Sequence, residues 1–245
     1  MDGETLFWLV APGLATGLGG LGLLVVRHPG DRLLDTLLGA TAGIMAAAAV
    51  FSLLVPALEL GGVLGVVAGF LLGAAVLAAL DAYVPHVHAR FTERSQTREE
   101  RRATLLLSAL TIHNLPEGLA VGIAFAAGGA ELGVPVAVAI GLQNIPEGFA
   151  AAAPLVAAKT SVWTAAGFAV ATGLVEPPAA LLGYAIADSA AVALPAALAF
   201  AGGAMIYVVV DEMLPESRER GNEREATFGF VVGFVVMMLL DNALG

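Results

Sequence analysis

The chain is a succession of apolar runs, each long enough to cross a bilayer. A hydrocarbon core about 30 Å thick needs about 20 apolar residues per helix. Reading for such runs gives eight, at roughly 6–26, 33–55, 62–82, 103–127, 132–157, 161–187, 192–214 and 226–243. The one long polar segment between them, 85–102, reads as a cytoplasmic loop. The expected fold class is all-α. It is a polytopic membrane protein, a single transmembrane domain over residues 1–245 with eight transmembrane helices. Composition fits this, because charged residues make up only 13% of the chain, about half the share of a soluble domain.

Charge orients the runs. The chain has 11 basic and 21 acidic residues, a net charge of -10. That balance is wrong for a nucleic-acid binder. All the basic residues fall between runs one and two (Arg27, Arg32), three and four (Arg90, Arg94, Arg98, Arg101, Arg102), five and six (Lys159), or seven and eight (Arg218, Arg220, Arg224). Positive charge marks the cytoplasmic side. Both termini are therefore expected outside, in a multi-pass protein of the plasma membrane. Met1-Asp2-Gly3-Glu4-Thr5 contains no basic residue, so the first run does not read as a cleaved signal.

Ionisable residues inside such runs cost roughly 2.5–3.5 kcal/mol each and are functional candidates by default. Here they cluster. Run four carries His113-Asn114-Leu115-Pro116-Glu117-Gly118 and run five carries Gln143-Asn144-Ile145-Pro146-Glu147-Gly148. The shared pattern recurs after 30 residues on consecutive, antiparallel runs, which makes an inverted pair. Positions i and i+4 share a helix face. His113 therefore points with Glu117, and Gln143 with Glu147. Asn114 and Asn144 sit beside that face, where hydrogen bonding between helices explains them about as well as metal binding. Pro116 and Pro146 are expected to disturb the carbonyls of Ile112 and Leu142 and to kink or break their helices. Run six adds Glu176-Pro177-Pro178, and run seven ends Asp211-Glu212-Met213-Leu214-Pro215-Glu216.

A divalent cation would balance Glu117, Glu147 and Glu176, since the basic residues are confined to one surface. The chain has no cysteine. Any metal must then be held by imidazole, carboxylate, amide or backbone oxygen, a set that suits Zn²⁺ and also Fe²⁺, Mn²⁺ or Cd²⁺ but not Cu(I). Asp211 and Glu212 read either as a solvated cytoplasmic mouth or as a release path. His86 and His88 read as ordinary loop residues or as a transient stop on that path. No organic cofactor is called for. An intramembrane metal-dependent hydrolase is the competing class, and a metal-selective channel or sensor the third. Against the hydrolase, the chain lacks His-Glu-x-x-His and has one intramembrane histidine.

At these motifs the chain resembles the ZIP (Zrt/Irt-like) family of divalent metal transporters, in its GufA-like branch. The resemblance spans essentially the whole chain. It includes Phe51-Ser-Leu-Leu-Val-Pro-Ala-Leu-Glu59 in run two. It implies import of Zn²⁺ by alternating access through a 3+2+3 bundle, with runs one, four, five and six moving against two, three, seven and eight. It implies a primary metal on His113, Glu117, Gln143, Glu147 and Glu176. A second metal would use Asn114, Glu117, Asn144 and Glu147, making a binuclear site in which the two glutamates bridge. Relatives often have Asp at the Asn144 position and His-Glu at Asp211-Glu212. Met45 looks like an entrance-side methionine of the family. Homodimers are typical.

Overall fold

The structure, a computed structural model, describes residues 1–27, 29–92, 98–157, 159–189 and 191–244. The side chains of 84–92, 98–110, 188, 189 and 191 are outside that description. Every described element is helical. In chain order they are α1 (Gly3–Leu21), a 3-10 turn (Gly22–Leu24), α2 (Asp31–Ala48), a π-turn (Ala49–Leu54), α3 (Val55–Leu60), α4 (Val63–Thr92), α5 (Arg98–Ala157), α6 (Val162–Gly173), α7 (Glu176–Ser189), a second 3-10 turn (Ala191–Ala193), α8 (Leu194–Val208), a second π-turn (Val209–Met213), α9 (Leu214–Glu216) and α10 (Glu223–Leu244). Asp2 caps α1 by accepting the Thr5 N–H at 2.8 Å. That bond holds its carboxyl below the usual range.

Among the described residues, seven helical stretches are long and apolar enough to cross a membrane. One of them, Thr111–Ala157, has 47 residues, about 70 Å at 1.5 Å per residue. It is not straight. Gly128 (φ -135°) and Gly129 (φ +58°) leave helical geometry. In a straight helix Glu117 and Gln143 would stand about 39 Å apart, yet their side chains are hydrogen-bonded at 2.5 Å. The chain therefore reverses at Gly128–Gly129. Only glycine adopts the Gly129 conformation without strain.

Three local expectations change. The segment 85–102 is not all loop, because α4 runs on to Thr92 and α5 begins at Arg98. Arg, Glu and Ala are good helix formers, so a helix can outrun the membrane. Pro116 and Pro146 do not break their helices, and the backbone stays helical through both. The break falls instead at Leu174–Val175, just ahead of Pro177 and Pro178. In the first turn of α7 those prolines give up N–H groups that have no intrahelical partner anyway.

The helices pack as two groups. In one, α1 lies along α5 and α6, and α5 along α7. In the other, α2 lies along α10 and α4 along α8. Small residues bring the backbones together. A Cβ on Gly19 would overlap the Ile145 carbonyl, one on Gly43 the Phe230 carbonyl, and one on Gly73 the Phe200 carbonyl. Every glycine packed this closely on another described helix meets one of its own group. The seam between the groups, where α5 faces α2 and α8, holds no such contact.

Candidate metal centre

The seven nominated residues of α5 and α7 all lie inside the protein. His113 is 2% exposed, Glu147 and Glu176 are 1%, and Asn114, Glu117, Gln143 and Asn144 are 0%. Both arms of α5 and the first turn of α7 supply them. The motif glycines explain how these elements come so close. A Cβ on Gly118 would sit 2.8 Å from the Glu176 Cα, and one on Gly148 would overlap the Thr16 carbonyl of α1. Each Pro-Glu-Gly thus presents a carboxylate and, one residue on, a surface flat enough for the next helix.

Amides and carboxylates pair across these elements. Gln143 Nε2 donates to Glu117 Oε1, joining the two arms of α5. Asn144 Nδ2 donates to Glu176 Oε1 at 2.7 Å and to the Pro12 carbonyl of α1 at 2.9 Å. His113 Nε2 contacts Glu212 Oε2 of the second π-turn, across the seam between the two groups. Of the release-path candidates, Glu212 therefore joins the cluster. Asp211 does not; it is exposed and accepts the Tyr207 hydroxyl at 3.2 Å. His86 and His88 lie outside the described side chains.

What remains unpaired is the informative part. Buried polar groups are nearly always hydrogen-bonded, and each exception asks for an explanation. Here the described buried side-chain atoms without a partner are His113 Nδ1, both polar atoms of Asn114, Glu117 Oε2, Gln143 Oε1, Asn144 Oδ1, both oxygens of Glu147, Glu176 Oε2, Glu212 Oε1 and Thr16 Oγ1. All but the last belong to residues nominated from the sequence. Most are lone-pair donors of the kind a borderline or hard divalent cation binds. In this conformation no three His, Asp or Glu side chains among the described residues are placed to hold one metal ion together. The amides of Gln143 and Asn144 hold two of the carboxylates instead. Closure around a cation would exchange these amide N–H bonds for metal–oxygen bonds.

A match to the family model described as "ZIP Zinc transporter" covers residues 86–241. The zinc transporter GufA of Myxococcus xanthus is 44% identical over 243 residues, covering 95% of this chain and 96% of that protein. The zinc transporter ZIPB of Bordetella bronchiseptica is 41% identical over 241 residues, covering 94% and 78%. The chain belongs to the ZIP family of zinc transporters. Its relatives are named for transport and not for hydrolysis, which sets the enzyme reading aside.

Some contributions to this cluster were not legible beforehand. Pro12 offers a carbonyl, and Thr16 a buried hydroxyl, from α1. The only sequence signal is that Thr16 is a small polar residue in a Gly/Ala-rich run. Asp35 is fully buried inside the run 33–55. It is engaged by Arg220 at 3.1 Å and by the Asn222 side chain at 2.9 Å, so it serves packing and not the cluster. Met45 is also fully buried, just ahead of the first π-turn.

Proposed function

We propose that this protein carries Zn²⁺, and also Fe²⁺, Mn²⁺ or Cd²⁺, into the cytoplasm by alternating access at the His113–Glu176 cluster. The single observation that carries this is the set of unpaired, buried lone-pair atoms on residues of α5, α7 and the second π-turn. The names of the relatives support zinc as the cargo.

The primary ion is assigned to His113, Glu117, Gln143, Glu147 and Glu176. A second ion is assigned to Asn114, Glu117, Asn144 and Glu147, with the two glutamates bridging a binuclear centre. The amide at Asn144 removes one carboxylate from that second position. Ligand carboxylates bind metal deprotonated, as does His113, so protons compete with the cargo.

Reading the two arms of α5 as separate crossings turns seven apolar stretches into eight spans. With the basic residues inside, both termini then face outward, in the plasma membrane, as one domain over 1–245. The helix grouping supports movement of α1, α5, α6 and α7 against the rest. Close glycine contacts hold each group together, and the described seam lacks them. Sliding one rigid group past the other would carry the cluster from one side toward the other, with release past Asp211, Glu212, His86 and His88. The family's homodimer is the proposed assembly. The test is zinc uptake into proteoliposomes loaded with a zinc-sensitive dye. Wild type should transport and Glu147→Ala should not. Equal rates would refute the site.

A further inference from the structure

The far ends of α2 and α10 carry a second polar feature, away from the metal ligands. A cavity of about 570 Å³ opens there, lined by Arg32, Thr36, Arg224, Glu225 and Phe228. Its chemistry is mixed. The Arg32 guanidinium is largely exposed and bridges to Glu225 at 3.0 Å. The Arg224 guanidinium lies over the Phe228 ring, 5.8 Å from its centre. From this cavity an apolar stripe runs along α10. Phe228, Val231, Val232, Val235 and Leu239 are 41–60% exposed. From Phe228 to Leu239 is about 16 Å of helix, close to the depth of one leaflet, half of a core about 30 Å thick.

We infer that this cavity binds the headgroup of a phosphatidylethanolamine, with an acyl chain along the α10 stripe. Two guanidiniums match the phosphate diester. Glu225, set beside Arg32, matches the primary ammonium. A phosphatidylglycerol headgroup brings the same phosphate but only neutral hydroxyls to that carboxylate, and a choline headgroup offers it no N–H donor. The arginines belong to the side marked as cytoplasmic by the basic residues, so the lipid is one of the inner leaflet.

The test is native mass spectrometry of the full-length protein in detergent. It is titrated separately with dioleoyl phosphatidylethanolamine, phosphatidylglycerol and phosphatidylcholine. Wild type should retain phosphatidylethanolamine most tightly. Arg32→Ala and Arg224→Ala should each weaken it about tenfold or more, the loss of one charge-assisted contact to the phosphate. Glu225→Gln should erase the preference over phosphatidylglycerol. Arg27→Ala removes an equal charge outside the cavity and should change nothing. Phosphatidylglycerol binding as tightly to wild type would overturn the assignment. So would unchanged affinity in both cavity arginine variants, or an equal loss in Arg27→Ala. All four side chains are at least partly exposed, so folding is not at stake.

Discussion

Glu147→Gln separates the two demands on the metal centre, since it should strengthen the metal-free fold while ending transport. Glu147 is 1% exposed, and neither of its oxygens has a hydrogen-bond partner. A carboxylate in that position can only accept. An amide can also donate, within a cluster where Glu117 Oε2 and Glu176 Oε2 are unpaired acceptors. Leaving a buried acceptor unsatisfied costs about 1–3 kcal/mol, and more for a charged group. Relieving one such acceptor should raise the stability of the zinc-free protein by about 1–3 kcal/mol. Zinc should then do less for the variant. At a hundredfold excess over its Kd, a ligand that binds only the folded state adds about 2.7 kcal/mol, and the variant should lose most of that gain. The assay is unfolding of purified protein in detergent, with chelator and with Zn²⁺, beside uptake in liposomes. The reasoning fails if the variant is less stable than wild type in chelator. It also fails if zinc stabilises both proteins equally.

Other outcomes follow from the packing. Gly148→Ala would push a methyl into the Thr16 carbonyl and should cost at least 1–3 kcal/mol. Gly167→Ala faces open space in mid-helix and should be neutral or gain up to about 1 kcal/mol; the same thermal unfolding measures both. Arg220→Ala takes the one guanidinium from the fully buried Asp35 carboxylate, leaving it only the neutral donors of Asn222, and should destabilise by about 2–4 kcal/mol. Asp35→Asn/Arg220→Ala should recover part of that loss in a denaturation series. Zinc flux at fixed free zinc should fall as pH is lowered, because protons occupy His113 and the carboxylates that the ion needs. A flux that rises on acidification would count against direct ligation.

Much of the buried polar cluster was readable from the sequence. A charged or amide side chain in an apolar run is conspicuous, and the repeat of Asn-x-Pro-Glu-Gly marks two of them as a pair. Helical spacing already set His113 beside Glu117 and Gln143 beside Glu147. It could not say which residue faces which across helices. Asn144 reaching Glu176 and Pro12, and Glu212 reaching His113, are contacts between elements 32 to 132 residues apart. The glycines signalled close packing, but their partners, and so the division into two groups, are tertiary facts. Proline was misleading for a local reason. Pro116 and Pro146 are absorbed within otherwise intact helices. The two π-turns instead come just ahead of Pro56 and Pro215, in runs whose composition gave no sign of them. Asp35 escaped notice because its partners, Arg220 and Asn222, read as loop residues about 185 positions away.

Anomalous diffraction at the zinc edge tests the metal centre most directly, using crystals of the wild-type protein grown with Zn²⁺. A peak bounded by Glu117, Glu147 and Glu176, about 2.0–2.2 Å from carboxylate oxygens and absent in Glu147→Ala, is the expected result. Zinc that binds the wild type only outside this cluster, or a peak that persists unchanged in Glu147→Ala, would contradict it.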